Sequence, residues 1–102
     1  MLADLIREFC KEPENNYEVY ENFTKSWTTP IGVETVTTIG IVVKQGSTPM
    51  EVLERLSRYL EKKEVFDERL LELEGTGIDK FGPGDDVIVY FPAIKDYQPL
   101  QP

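Results

Sequence analysis

The chain has 102 residues, 11 Lys and Arg against 19 Asp and Glu, no histidine and a formal net charge of −8. That length predicts a single domain, and its acidity argues against binding a nucleic-acid backbone or an anionic membrane surface, both of which call for clustered cations. The missing histidine excludes Ser-His and Cys-His catalysis, and the single cysteine, Cys10, excludes a disulfide within the chain.

Leu2, Leu5, Ile6, Phe9 and Cys10 recur at helical spacing and predict a short amphipathic helix over 2–10, with Cys10 as a packing residue. No signal-peptide core or cleavage site follows, so assembly in the cytoplasm is the expectation, and no aliphatic run exceeds Ile41–Val43. A polar break with Pro13 leads into two runs rich in aromatic and β-branched residues, 17–27 and 33–38. They flank Thr28–Gly32 with Pro30 inside it, which predicts a β-hairpin over 17–38. Unbroken alternation would put Tyr17, Val19, Phe23 and Trp27 on one face and Tyr20 on the other. That is more apolar surface than a small body covers, so Tyr20, Phe23 and Trp27 are candidate subunit contacts. Gly40 marks a bulge or bend.

Residues 41–44 read as a buried strand, and Gly46 permits a turn after it. Thr48 suits an N-cap, Pro49 suits the first helical position, and Glu51 completes a capping box. Val52, Leu53, Leu56, Tyr59 and Leu60 then form one apolar stripe, with Lys62 and Lys63 near the helix C-terminus. A second helix is predicted over 66–74 from Phe66, Leu70, Leu71 and Leu73, closed by Gly75 in a left-handed cap. The stretch 75–86 reads as a glycine-rich connection. Residues 87–91 form a strong strand stopped by Pro92. The tail 93–102, with Pro99 and Pro102, reads as extended, with Tyr97 and Leu100 as further candidate contacts. The expected fold class is α+β, divided into an N-terminal helix and hairpin arm (1–40), a compact body (41–92) and a C-terminal tail (93–102).

The body resembles the LysM domain, a βααβ module of similar size. Gly46-Ser47-Thr48-Pro49 stands at the strand-to-helix corner, "DERLLELEG" at the second helix, and "FGPGDDVIVYFP" at the closing strand with Pro83-Gly84 before it and Pro92 after it. Ser47 stands where the family usually has Asp, Pro49 where it has Leu, and Glu74 about where many members have Asn. The likeness is greatest to the small LysM-like structural proteins of phage tails and contractile injection machines, the tail protein X type. It implies a non-enzymatic part of a tail or baseplate that contacts other protein subunits and ends in a virion or injection particle. The alternative the family offers is a peptidoglycan- or chitin-binding module, with Gly46, Ser47, Thr48, Gly75, Thr76, Gly77 and Ile78 lining the glycan groove. An acidic inhibitor or DNA mimic is the third reading, and would need carboxylates spaced like phosphates along one face.

No cofactor, metal or catalytic residue is called for. Glycines 75, 77, 82 and 84 lack the spacing of a phosphate cradle. Asp79, Asp85 and Asp86 lie outside any Asp-x-Asp-x-Asp-Gly loop. Nothing in the sequence marks a buried carboxylate pair for glycoside hydrolysis.

Overall fold

The structure is a computed structural model that describes residues 2–15, 17–95 and 97–98. The elements are α1 (Leu2–Lys11), β1 (Glu18–Thr29), β2 (Gly32–Val43), α2 (Pro49–Lys62), α3 (Asp67–Leu70) running into a 3-10 turn (Leu71–Leu73), β3 (Gly77–Lys80) and β4 (Val87–Tyr90). The strands form one four-stranded antiparallel sheet in the order β1-β2-β4-β3, so the fold is α+β as expected.

Both long helices cover one face of that sheet. Alternation along β2 sends Ile39, Ile41 and Val43 to this face, and β4 adds Val89, followed by Phe91. They meet Leu2, Ile6 and Phe9 of α1 and Val52, Leu56 and Leu60 of α2 in a single core. Phe9 also stacks on Tyr17 (5.7 Å between centroids) and tilts against Tyr59 (5.5 Å). The predicted division at residue 40 therefore falls inside β2, and α1 belongs to the body. Ile94 is only 7% exposed within the same core, so the start of the tail is body as well.

The corner at 46–51 is built as its residues dictate. Gly46 takes φ +100°, Glu51 N–H donates to Thr48 Oγ1 (3.2 Å), and Pro49 opens α2. The second helix is shorter than its apolar pattern predicts. Leu70 and Leu73 pack on the core, but Phe66 and Leu71 are exposed. The tighter 3-10 winding turns Glu72 inward, where it accepts from the Lys95 N–H (2.9 Å) and pairs with Arg69 (3.0 Å). Gly75 ends the segment at φ +72°, as a left-handed cap requires.

Two further expectations are corrected. The irregularity sits on β1 rather than at Gly40. Tyr20 pairs with Gly40 and Phe23 with Thr38, so Glu21 and Asn22 together oppose Ile39 alone, and Asn22 takes φ 58°. This bulge reverses the alternation. Val19 stays on the helix side beside Ile41, Tyr17 packs there too, and Tyr20 joins Phe23 and Trp27 on the opposite face. Gly40 is instead a close-approach site: a Cβ there would lie 2.6 Å from Ile88 Cδ1. The other correction is β3, which lies inside the stretch read as a connection and pairs Ile78 with Val89.

Candidate interaction site

The face away from the helices carries its own small core. Val42 and Ile88 point to it and are both fully buried, although no helix lies over them. The strands cover them by rolling up. Tyr20 meets Phe81 (4.9 Å, edge-on) and Phe23 (6.3 Å), and Phe23 meets Tyr90 (5.0 Å). Lys25 of β1 is paired with Asp79 of β3, although these strands are the two edges of the sheet. Each raises or lowers the other's pKa in the expected sense: the Asp79 carboxylate pushes the Lys25 ammonium up, and Lys25 holds Asp79 below its usual range. Both side chains are over a third exposed, so the pair fixes geometry more than it adds stability.

A second clasp holds the base of the hairpin from the other side. Arg7 of α1 donates to both carboxylate oxygens of Glu21 (2.5 and 3.1 Å), which lowers the Glu21 pKa, and also pairs with Asp4 (2.7 Å). The hydroxyl of Tyr97 accepts from the Asn22 N–H (2.7 Å) and donates toward Glu21 (3.0 Å), with the Arg7 guanidinium 6.0 Å from its ring centroid. Tyr97 is thus an internal strut on the bulge. Leu100 lies outside the described residues.

Beyond this base β1 and β2 run on as a two-stranded ribbon, because β4 pairs only with Gly40–Val43. One side of the ribbon is a ladder of hydroxyls, Thr24 to Thr37 (3.2 Å) and Ser26 to Thr35 (2.8 Å). Its end is apolar and open: Trp27 is 43% exposed, Val33 70% and Ile31 92%. Residues 26–33, "SWTTPIGV", carry no charge in a chain of which 29% is charged. Sequence reasoning found Trp27 but passed over Ile31 and Val33, for which that uncharged run was the available signal. Phe23 is partly covered by Tyr90, whereas Tyr20 stays 42% exposed beside Phe81; Tyr20 and Trp27 are thus about equally open, Tyr20 at the base of the hairpin and Trp27 at the ribbon end.

The glycan-groove candidates do not converge. Gly46, Ser47 and Thr48 follow the end of β2 where Val43 faces Val87, whereas Gly77 faces Tyr90 at the other end of β4. Gly75 and Thr76 lead into that far end, with the Thr76 hydroxyl donating to Leu73 C=O. The Tyr90 ring lies across Gly77, and Ile78 is exposed on the β3 edge. The neighbour of the 44–48 corner is the acidic turn before β4, through Lys44 and Asp86 (3.6 Å).

Other chemistry finds little footing. Burial pushes the Cys10 thiol up to about 12, so it stays protonated and is a packing group. Among the described residues there is no group of three or more potential metal ligands and no helix long and apolar enough to cross a membrane. Among the described residues the buried carboxylate is Glu72, which is committed to Arg69 and the Lys95 N–H. Acids on α2 alternate with cations, Glu51 with Arg55 and Glu54 with Arg58, which is unlike a row of phosphates. No family model, curated protein or solved structure matches the chain.

Proposed function

We propose that this protein is a non-enzymatic structural subunit of a phage tail, baseplate or tail-like injection machine, docking on neighbouring protein subunits through its β1–β2 hairpin. One observation carries the reading: an uncharged, apolar hairpin end with Trp27, Ile31 and Val33 open stands on a base held by two clasps. Exposed apolar surface of this kind marks contact sites, and a Trp that becomes buried is the commonest sort of anchor. Support for a LysM-like body comes from the connectivity: β2, α2, α3 and β4 follow one another, and β2 and β4 are antiparallel neighbours. Relative to a plain βααβ unit, β3 is added before the last strand. The separation of the groove candidates favours assembly over glycan binding.

The test is incorporation. The double substitution Trp27→Ala and Ile31→Ser keeps the fold of the free protein, since Ile31 is 92% exposed and Trp27 stands outside the helix-side core, and is lost from particles assembled by co-expression with the genes that flank its own. Normal incorporation of that variant overturns the proposal. Saturable co-sedimentation with insoluble peptidoglycan would favour the glycan reading instead.

A further inference from the structure

Between Val33 and Thr37, β2 has a neighbour on one side only: β1 pairs along this stretch, and β4 stops at Gly40. The direction of the free backbone groups follows from the ladder just above. Phe91 N–H donates to Ile39 C=O on the β4 side. In an antiparallel strand the residues facing a given side alternate, so Thr37, Thr35 and Val33 turn their N–H and C=O groups to that same side. Among the described residues no backbone bond reaches them there.

Exposed edges in natural sheets are usually blunted by lysine, proline, a bulge or a covering segment. Among the described residues this one has no lysine, proline, bulge or covering segment, and its one charge is Glu34. Val33, Glu34, Thr35, Val36 and Thr37 are β-branched except for Glu34, the register shift lies on β1, and all but Val36 are exposed. A two-stranded ribbon is marginal in water, and a strand added to this edge would complete it.

We propose that this edge pairs with the same edge of a second copy of the chain, antiparallel, in a two-fold register centred on Thr35. In that register Thr35 faces the second copy's Thr35, and Val33 faces the second copy's Thr37. These are the residues whose backbone groups point outward, so every free N–H and C=O among them finds a partner. Glu34 faces the second copy's Val36, and the two Glu34 carboxylates are never opposed. Centring on Glu34 would set them face to face. Centring on Val36 would need Thr38, which is buried with its hydroxyl donating to Phe91 C=O (2.7 Å). Charge and burial thus select one register, and the product is a four-stranded sheet of two hairpins. The seam is narrower than the roughly 1,200 Å² of a stable interface, so the dimer is concentration-dependent in solution and is reinforced by the other contacts of an assembly. The inference rests on the assembly reading for that reinforcement; the edge itself belongs to the isolated chain.

Cysteine cross-linking of the full chain tests it. Hydrogen-bonded residues opposed across an antiparallel pair have Cα atoms about 5.5 Å apart, within the span of a disulfide. Under mild oxidation Thr35→Cys gives a covalent dimer about tenfold or more faster than Val33→Cys or Thr37→Cys alone, because pairing holds its thiols together. A mixture of Val33→Cys and Thr37→Cys chains gives the mixed dimer at the fast rate. The native Cys10 is buried and does not compete. Thr35→Pro removes one outward N–H and no β1 ladder bond, and shifts sedimentation to monomer; should it fail to fold, the cross-linking still decides. Equal rates for the three single variants, or a wild-type chain monomeric to about 1 mM, overturn the proposal. Edge protection appearing only when a different subunit is added also overturns it. None of these outcomes touches docking through Trp27 and Ile31, which incorporation measures separately.

Discussion

Gly40 offers the sharpest stability test, because two explanations of one glycine part once the Ile88 side chain is removed. If it serves as a flexible bend, alanine costs something through the backbone. If it serves as a close-approach site, alanine costs something only through Ile88. The geometry favours the second: an added Cβ would lie 2.6 Å from Ile88 Cδ1, 2.8 Å from Cγ1 and 3.3 Å from Val89 O, and Gly40 is not in a left-handed conformation. Ile88 is fully buried under the aromatic residues of the rolled face, so it has little room to yield. Forcing a methyl into such a site costs about 1–3 kcal/mol. In a domain of this size that lowers the melting temperature by roughly 4–8 °C for each kcal/mol. Ile88→Ala alone costs about 2–5 kcal/mol through the cavity it leaves. In that background Gly40→Ala becomes neutral or stabilising, since alanine in a strand is favoured over glycine by about 0.5–1 kcal/mol once the obstruction is gone. Urea denaturation of the four proteins closes the double-mutant cycle, with an expected coupling above about 1 kcal/mol. If Gly40→Ala costs the same with and without the Ile88 side chain, the close-approach argument is refuted.

Thr48→Ala removes the cap on α2 and lowers stability by about 0.5–2 kcal/mol in urea titration; an unchanged midpoint would mean the Thr48 hydroxyl contributes nothing. Ile94→Ala costs about 2–4 kcal/mol because Ile94 lies in the main core, and truncation before residue 93 is worse, which a thermal melt of the free protein reads directly. The Glu21 carboxylate has its pKa lowered chiefly by its hydrogen bond from Arg7, so the stability it contributes is fully present above the unfolded value of about 4.3 and is lost as pH falls through the lower folded value. Glu21→Gln is therefore less stable than wild type at pH 6, and the gap closes toward pH 3; a gap independent of pH would assign the loss to packing rather than charge.

What the sequence discloses divides by the range of the interactions involved. The Thr48-Pro49-x-Glu51 start of α2, the stripe Val52-Leu56-Leu60 and the left-handed Gly75 depend on neighbours a few residues away, and their patterns can be read directly. β3 could not be read that way. Gly77–Lys80 is too short to show a period, turn residues surround it, and it is a strand only because β4 supplies its partner. Gly40 looked like a bend because the nearness of Ile88, 48 positions away, is invisible in one dimension. The groove candidates lie apart for the same reason: β3 carries Gly75–Ile78 to the far end of β4, away from Gly46–Thr48.

The bulge at Glu21 and Asn22 ties these separate features into one mechanical argument. Without it, Phe23 and Lys25 would continue on the helix side with Val19, leaving Tyr20 and Tyr90 without the Phe23 ring and Asp79 without its cation. With it, Tyr20, Phe23 and Tyr90 close over Val42 and Ile88, and Lys25 can reach Asp79. The same two residues hold the opposite side of the hairpin, Glu21 through Arg7 of α1 and Asn22 through the Tyr97 hydroxyl. An isolated ribbon of this length would lose much conformational freedom on meeting a partner, at a cost of about 0.5–1.5 kcal/mol for each long side chain immobilised. Anchored on both faces at its base, the hairpin presents Trp27, Ile31 and the Val33–Thr37 edge in a direction already set by the body. Loosening Glu21 or Lys25 should therefore weaken docking even though neither residue lies on the surface that docks.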